Sequence, residues 1–464
     1  MPLIKSISGI RGTIGGVSGE NLTPLDLVGF LSAFAWQIKQ EFPDIKNPSV
    51  VLGRDGRVSG PLIHSLSASV LQLSGLNVLD VGLATTPTVE MSVIQNKAQG
   101  GLILSASHNP QQWNALKLLN SRGEFISADQ GQQLLKSVDN LDFIYADVDS
   151  LGDKTEITNA LAQHIAAILK LKLVNRPAIT RSNFKVVVDG INSVGALAIP
   201  ELLRALGVID IELINGDING RFAHNPEPLD ENLQFIKERV VASGADLGIV
   251  VDPDVDRLAF ITEKGEVFGE EYTLVAVAEY VLQNYCPCFY QKISVSNLSS
   301  SRALRDITER HGGTCYAAAV GEVNVVEKMK ETGAVIGGEG NGGIIYPELH
   351  YGRDALVGTA LFLSALAESG LKVSEFKQGF PEYHMVKDKI TLSPDIKVSA
   401  ILQKIKEIYA DEKMTDIDGV KIDWPESWVH LRASNTEPII RVYAEARTKE
   451  TAILNIKKIK EIIY

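Results

Sequence analysis

Asp252, Asp254 and Asp256 stand at alternate positions in the run VVDPDVDR. In an extended strand this spacing puts three carboxylates on one face, and in a tight loop it lets them converge on one cation. Either way, three anions so close together need a compensating charge. All-oxygen ligands point to a hard metal, and magnesium fits because it leaves positions open for substrate or phosphate. Counted from Asp252, the sixth position is arginine where an EF-hand needs glycine, which argues against that loop. A solvated acidic turn fits poorly with the apolar LGIVV immediately before it.

A second constellation is SASHNP, Ser105 to Pro110, directly after the apolar GLIL. A hydroxyl at the end of a buried strand has a rigid support, and a nucleophile in phosphoryl transfer needs position above all. Ser107 beside His108 lacks the G-x-S-x-G elbow of a serine hydrolase. On its own the stretch is equally a capped turn. The third is GGEGNGG, Gly337 to Gly343. Its glycines admit close approach of a ligand, and Glu339 and Asn341 can hydrogen-bond sugar hydroxyls. It has neither the ending of a P-loop nor the spacing of a dinucleotide fingerprint. The fourth runs from Arg432 through Ser434, Asn435 and Thr436 to Arg441. Two guanidinium groups flanking hydroxyl and amide donors can hold the oxygens of a phosphate, although a capped turn would read the same.

These turns follow short apolar runs that alternate with segments of helical period, the pattern of α/β domains with largely parallel sheets. Ligands in such sheets bind beyond the carboxyl ends of the strands. The expected fold class is α/β: three similar domains over 1–153, 154–258 and 259–370, with mixed, largely parallel sheets. A smaller α+β domain over 371–464 follows, in which WVHLRAS and IIRVYAEA precede the helix TAILNIKKIKEII.

A chain of 464 residues with 45% hydrophobic residues has ample material for such cores, and a net charge of −12 argues against nucleic acid or a membrane surface as partner. An anionic substrate therefore needs a local cationic pocket. Cys286, Cys288 and Cys315 are too few for a disulfide framework and lack a second pair for zinc, so they read as reduced thiols. The start, MPLIKSISGIRG, shows no signal-peptide pattern, and no stretch has the length of a membrane span. A cytoplasmic protein is the expectation.

Taken together and in this order, the four loops resemble those of the α-D-phosphohexomutase superfamily, the phosphoglucomutases, phosphomannomutases and phosphoglucosamine mutases. The resemblance runs from residue 8 to about 447. It implies four domains around a central cleft, with Ser107 bearing the phosphoryl group and His108 and Asn109 completing its loop. Lys117 matches a lysine of proton transfer. Asp252, Asp254 and Asp256 match the magnesium ligands, with the phosphoserine supplying a further oxygen and Arg257 beside them. Arg11, in SGIRG, matches an arginine facing the cleft. Glu339 and Asn341 fall where the family binds sugar hydroxyls, and Arg432, Ser434, Asn435, Thr436 and Arg441 fall on its phosphate loop.

There are departures. Gly343 stands where the family often has histidine; His350 in ELHYGRDA is a candidate substitute, but a surface histidine is the expected reading. Asn435 replaces a common glycine, and Pro253 and Val255 stand where glycines are frequent. The GEGNGG variant is similar to archaeal-type members described as phosphoglucosamine mutases. The implied function interconverts hexose 6-phosphate and hexose 1-phosphate through a 1,6-bisphosphate, which also serves as activator, in a monomer or homodimer. Glucosamine phosphate is the expected sugar, with glucose or mannose phosphate the alternative. A hexose-phosphate phosphatase and a non-catalytic sugar-phosphate sensor are weaker rivals.

Overall fold

The computed structural model describes residues 3–6, 9–141, 143–285, 291–391, 398–433 and 439–463. Its internal contacts divide the chain into two units, Met1–Thr273 with Asn341–Lys377, and Leu274–Gly340 with Gln378–Tyr464.

The first unit holds two mixed sheets. One runs in the order Ile4–Ser6, Gly9–Thr13, Trp113–Leu119, Gly100–Leu104, Ser49–Arg54, Asn77–Leu83, Lys154–Glu156. Gly100–Leu104 is parallel to Ser49–Arg54 and antiparallel to Trp113–Leu119. Side chains alternate across the strands. Val50, Leu52, Leu102 and Leu104 enter one core with Phe30, Leu31 and Phe34 of the helix Pro24–Glu41. Val51 and Ile103 enter another with Val89 and Val93 of the helix Thr86–Asn96. Burial on both faces explains why these strands are continuous apolar runs rather than alternating ones.

The other sheet runs Leu258–Thr262, Leu247–Val251, Lys185–Asp189, Asp210–Ile214, with only the first strand antiparallel. Lys154–Glu156 thus belongs to the first sheet and Leu258–Thr262 to the second, so both sheets extend a few residues past 153 and 258. The helix Ala355–Ser369 packs Phe362 flat on Phe260, ring centroids 3.7 Å apart.

In the second unit, Ile293–Asn297 has Thr314–Ala318 and Ile336–Glu339 as parallel neighbours. A five-stranded antiparallel sheet, His384–Thr391, Ile439–Ala446, Ser427–Ala433, Val420–Asp423, Lys413–Thr415, is covered on one face by the helices Val398–Ile408 and Lys449–Ile463. This is the smaller C-terminal α+β part expected from the sequence. Among the described residues no helix is long and apolar enough to cross a membrane. Cys315 is a free thiol, while Cys286 and Cys288 lie outside the described residues.

Candidate active site

The buried strand Gly100–Leu104 delivers the serine loop. Ser107 N donates to Ser105 Oγ at 2.9 Å, and Ser107 itself sits at φ 48°. The left-handed region costs a non-glycine residue about 1–2 kcal/mol, so something must hold it there. Arg57, fully buried, does so. Its NH2 donates to Ser107 O and Asn109 O, both at 2.6 Å, and its NH1 to Pro110 O at 2.8 Å and Trp113 O at 2.9 Å. Its Nε pairs with buried Asp55 at 3.0 Å. One guanidinium thus gathers four carbonyls of the loop.

Opposite lies the acidic turn after the strand Leu247–Val251. The tight-loop alternative holds: the carboxylates of Asp252, Asp254 and Asp256 are fully buried and offer ligand atoms within 4.8 Å of one another. Asp252 Oδ1 accepts from the amides of Asp256 and Arg257, each at 3.1 Å, and its Oδ2 accepts from Ser107 Oγ at 2.6 Å. Val255 takes φ 63° to close this turn, which explains why glycine suits the position and means a β-branched residue is strained there.

Lys117, on the strand Trp113–Leu119, donates to Asp254 Oδ2 at 2.6 Å and Asp256 Oδ2 at 3.1 Å. Thr86, at the amino end of the helix Thr86–Asn96, donates its hydroxyl to the same Asp254 oxygen at 2.6 Å, and its amide to Asp254 O at 2.9 Å. A helix amino terminus favours an anion. Arg353 NH2 donates to Asp256 Oδ2 at 2.8 Å.

The charges do not balance pairwise. Burial and the carboxylates of Asp256 and Asp254 push Asp252 well above the usual range. Asp256 is held low: burial opposes this, but Arg353, Lys117 and Arg257 outweigh it. Burial likewise works against charge on Lys117, yet Asp254 and Asp256 outweigh it and raise its pKa. Asp254 Oδ1 and Asp256 Oδ1 are buried without a hydrogen-bond donor. Unsatisfied carboxylate oxygens in such a place are costly. With an all-oxygen donor set, these residues fit a hard divalent cation, whose charge would also draw Asp252 back to its ionised form.

Arg257 is buried and Arg11 half-buried beside these groups. Arg11 NH1 lies 3.4 Å from Asn109 Oδ1, and Arg257 NH1 pairs with Glu227 at 3.3 Å. Enclosure, with Arg257 and Arg11 nearby, pushes the His108 imidazole well below its ordinary value. Its Nδ1 is 3.4 Å from Ser107 Oγ, closer than the sequence suggests but long for a general base.

The glycine-rich stretch Gly337–Gly343 divides between the units. Asn341, in the first, accepts from Gly343 N at 3.2 Å. Glu339, in the second, is buried and accepts from Asn297 Nδ2 at 2.8 Å and Gly321 N at 3.2 Å. Also in the second unit, Arg432 lies directly opposite Arg441, which is opposite Lys389 on its other side. Directly paired residues share a face, so Lys389 extends a basic row that in the sequence shows only its two arginines. Ser434, Asn435 and Thr436 lie outside the described residues.

His350 is not a surface histidine. It is buried, with Nδ1 3.4 Å from Glu90 and Nε2 3.3 Å from Asp354, and two carboxylates are a reason for an imidazole to be inside. The residues missed from sequence are Arg57, Thr86 and Arg353. Arg57 closes the turn VVLGRDGR and Arg353 sits in ELHYGRDA, but nothing local marks either as part of the site.

Family models for the phosphoglucomutase/phosphomannomutase α/β/α domains I, II and III match residues 4–145, 162–265 and 270–383, and the model for the C-terminal domain matches 386–458. The chain belongs to the phosphoglucomutase/phosphomannomutase family. A relative named phosphoglucomutase/phosphomannomutase, from Thermococcus kodakarensis, is 35% identical over 97% of this chain and 98% of its own. One from Sulfurisphaera tokodaii, named phosphoglucosamine/phosphogalactosamine mutase, is 32% identical over 90% of this chain and 92% of its own. A crystal structure of a phosphoglucomutase/phosphomannomutase family protein from Burkholderia thailandensis superposes with a TM-score of 0.84 at 25% identity, covering 99% of this chain and 98% of that one.

Proposed function

We propose that this family member interconverts glucosamine 6-phosphate and glucosamine 1-phosphate, with Ser107 as the phosphoryl carrier. It is a phosphohexomutase, an intramolecular phosphotransferase. The observation that supports Ser107 in this role is its hydroxyl, 2.6 Å from Asp252 within a buried triad that fits a divalent cation. Magnesium, bound by Asp252, Asp254 and Asp256 with an oxygen of the phosphoserine, would offset charge on the transferring group.

The chain's own residues do the rest. The bond from phosphorus to Ser107 Oγ breaks as a bond forms to the free hydroxyl of the bound sugar phosphate. Arg257 and Arg11 face the charge on the transferring oxygens, and Lys117 handles the proton, giving one to the departing serine oxygen as the attacking sugar hydroxyl passes its own to the lysine. The hexose 1,6-bisphosphate then reverses, and the serine takes back the other phosphoryl group. Added bisphosphate activates the enzyme by refilling the phosphoserine. Arg432 and Arg441, with Ser434, Asn435 and Thr436, are assigned to the phosphate that is not reacting, and Glu339 and Asn341 to the 3- and 4-hydroxyls.

The glycine-rich loop variant supports glucosamine, as does the naming of a 32%-identical relative for amino-sugar phosphates. The test is a mutase assay with magnesium on glucosamine 6-phosphate, galactosamine 6-phosphate, glucose 1-phosphate and mannose 1-phosphate, each primed with its bisphosphate. Glucosamine is expected to lead in kcat/KM by about tenfold or more, the scale of one specific polar contact, and EDTA is expected to abolish all turnover. Equal turnover would overturn the sugar alone. Release of inorganic phosphate without isomerisation would overturn the mutase reading.

A further inference from the structure

Position 343 and the side chain of Arg353 compete for one volume. A Cβ added to Gly343 would stand 2.3 Å from Arg353 Cδ and 3.1 Å from its Cγ. The backbone of Gly343 does not have the positive φ that only glycine tolerates well, and it lies in the strand Gly343–Ile345. Conformation therefore does not require glycine there. What requires it is the passage of the arginine, which reaches through the cleared space to Asp256 Oδ2 at 2.8 Å and is itself buried.

The near end of Arg353 is fixed just as firmly. The next residue, Asp354, donates its amide to Ile344 O at 2.8 Å, and its Oδ1 caps the helix Ala355–Ser369 by accepting from Leu356 N at 2.8 Å and Val357 N at 3.3 Å. Asp354 Oδ2 lies 2.9 Å from His164 Nε2 and 3.3 Å from His350 Nε2, all three residues being buried. A long flexible side chain loses much entropy when fixed, and this one is fixed at both ends. The His164–Asp354–His350 cluster thus anchors the point from which Arg353 is launched.

We propose that Arg353 is a positioning residue for the metal ligand Asp256 and that Gly343 serves to admit it. This rests on the mutase reading of the site. Arg353, together with Lys117, holds Asp256 Oδ2, so Oδ1, the oxygen without a hydrogen-bond donor, is the one that would bind a cation. The departure at Gly343 and the arginine at 353 are then one coupled feature.

The test is a double-mutant cycle of Gly343→Ala and Arg353→Ala, with Arg353→Lys as conservative variant. The readouts are Mn2+ affinity by electron paramagnetic resonance, thermal melting, and kcat and KM separately. Each single variant is expected to weaken Mn2+ binding by about tenfold, the usual scale for removing a partner of a metal ligand. It should lower kcat while leaving KM for the sugar phosphate within about twofold. The double variant is expected to match either single, because both remove the same contact, and Arg353→Lys to recover part of the affinity. Multiplicative losses in the double variant would overturn the coupling, and unchanged Mn2+ affinity in Arg353→Ala would overturn the role. Failure of the mutase reading would show separately, as a wild-type protein that binds Mn2+ but does not isomerise hexose phosphates.

Discussion

Ser107→Ala is expected to abolish isomerisation, with kcat falling by about 10⁴-fold or more, because the proposed mechanism carries the phosphoryl group on this hydroxyl between the two half-reactions. Alanine accepts the backbone conformation of Ser107 about as well as serine does, so the loop should keep its shape. The variant loses the bond to Asp252 Oδ2, a change of about 1–3 kcal/mol for a buried polar pair. Measuring turnover together with calorimetric binding of glucosamine 6-phosphate separates the two effects: binding should persist where catalysis is lost. Residual turnover near the wild-type rate would show that the phosphoryl group is carried elsewhere.

Arg57→Ala should be nearly as damaging although Arg57 is not assigned to touch the substrate. Removing it strands the carbonyls of Ser107, Asn109, Pro110 and Trp113 and leaves buried Asp55 without its partner. Breaking one side of a buried ion pair costs about 3–5 kcal/mol. That corresponds to a fall in melting temperature on the order of 10 °C for a unit of this size. Activity should fall further than stability explains, since Ser107 is then free to leave the left-handed region. The double variant Asp55→Asn, Arg57→Met separates the two losses. It should regain much of the melting temperature, by removing both buried charges, while kcat stays low. A folded Arg57→Ala protein with wild-type kcat would refute the cradle.

Much of this site is legible in the sequence because its main parts are local. Ser107, and the triad of Asp252, Asp254 and Asp256, each follow an apolar run that can only be a buried strand, and the polar turn after such a strand is where ligands bind. What sequence does not show is long-range. Arg57 acts on a loop 50 residues further along the chain, Thr86 on an aspartate 168 residues away, and Arg353 on one 97 residues away. No spacing rule connects them. His350 reads as a surface residue for a similar reason, since one of its two carboxylate neighbours, Glu90, is distant in sequence. Glu339 and Asn341 look like one loop, and the division between the two units falls between them. Lys389 becomes visible only once the register of two antiparallel strands is known.

Arg11, Lys117 and the approach to Ser107 ride on three adjacent strands: Gly9–Thr13 pairs with Trp113–Leu119, which pairs with Gly100–Leu104. Neighbouring strands in such a ladder are held about 4.8 Å apart by many bonds at once. Their separation cannot drift as a loop drifts, on nanoseconds to microseconds, and opening the ladder draws on the free energy of unfolding itself. The nucleophile's support, the lysine and the arginine therefore keep one another's distance through thousands of turnovers. In the proposed reaction, this sheet is a part that does not reorient between the two half-reactions.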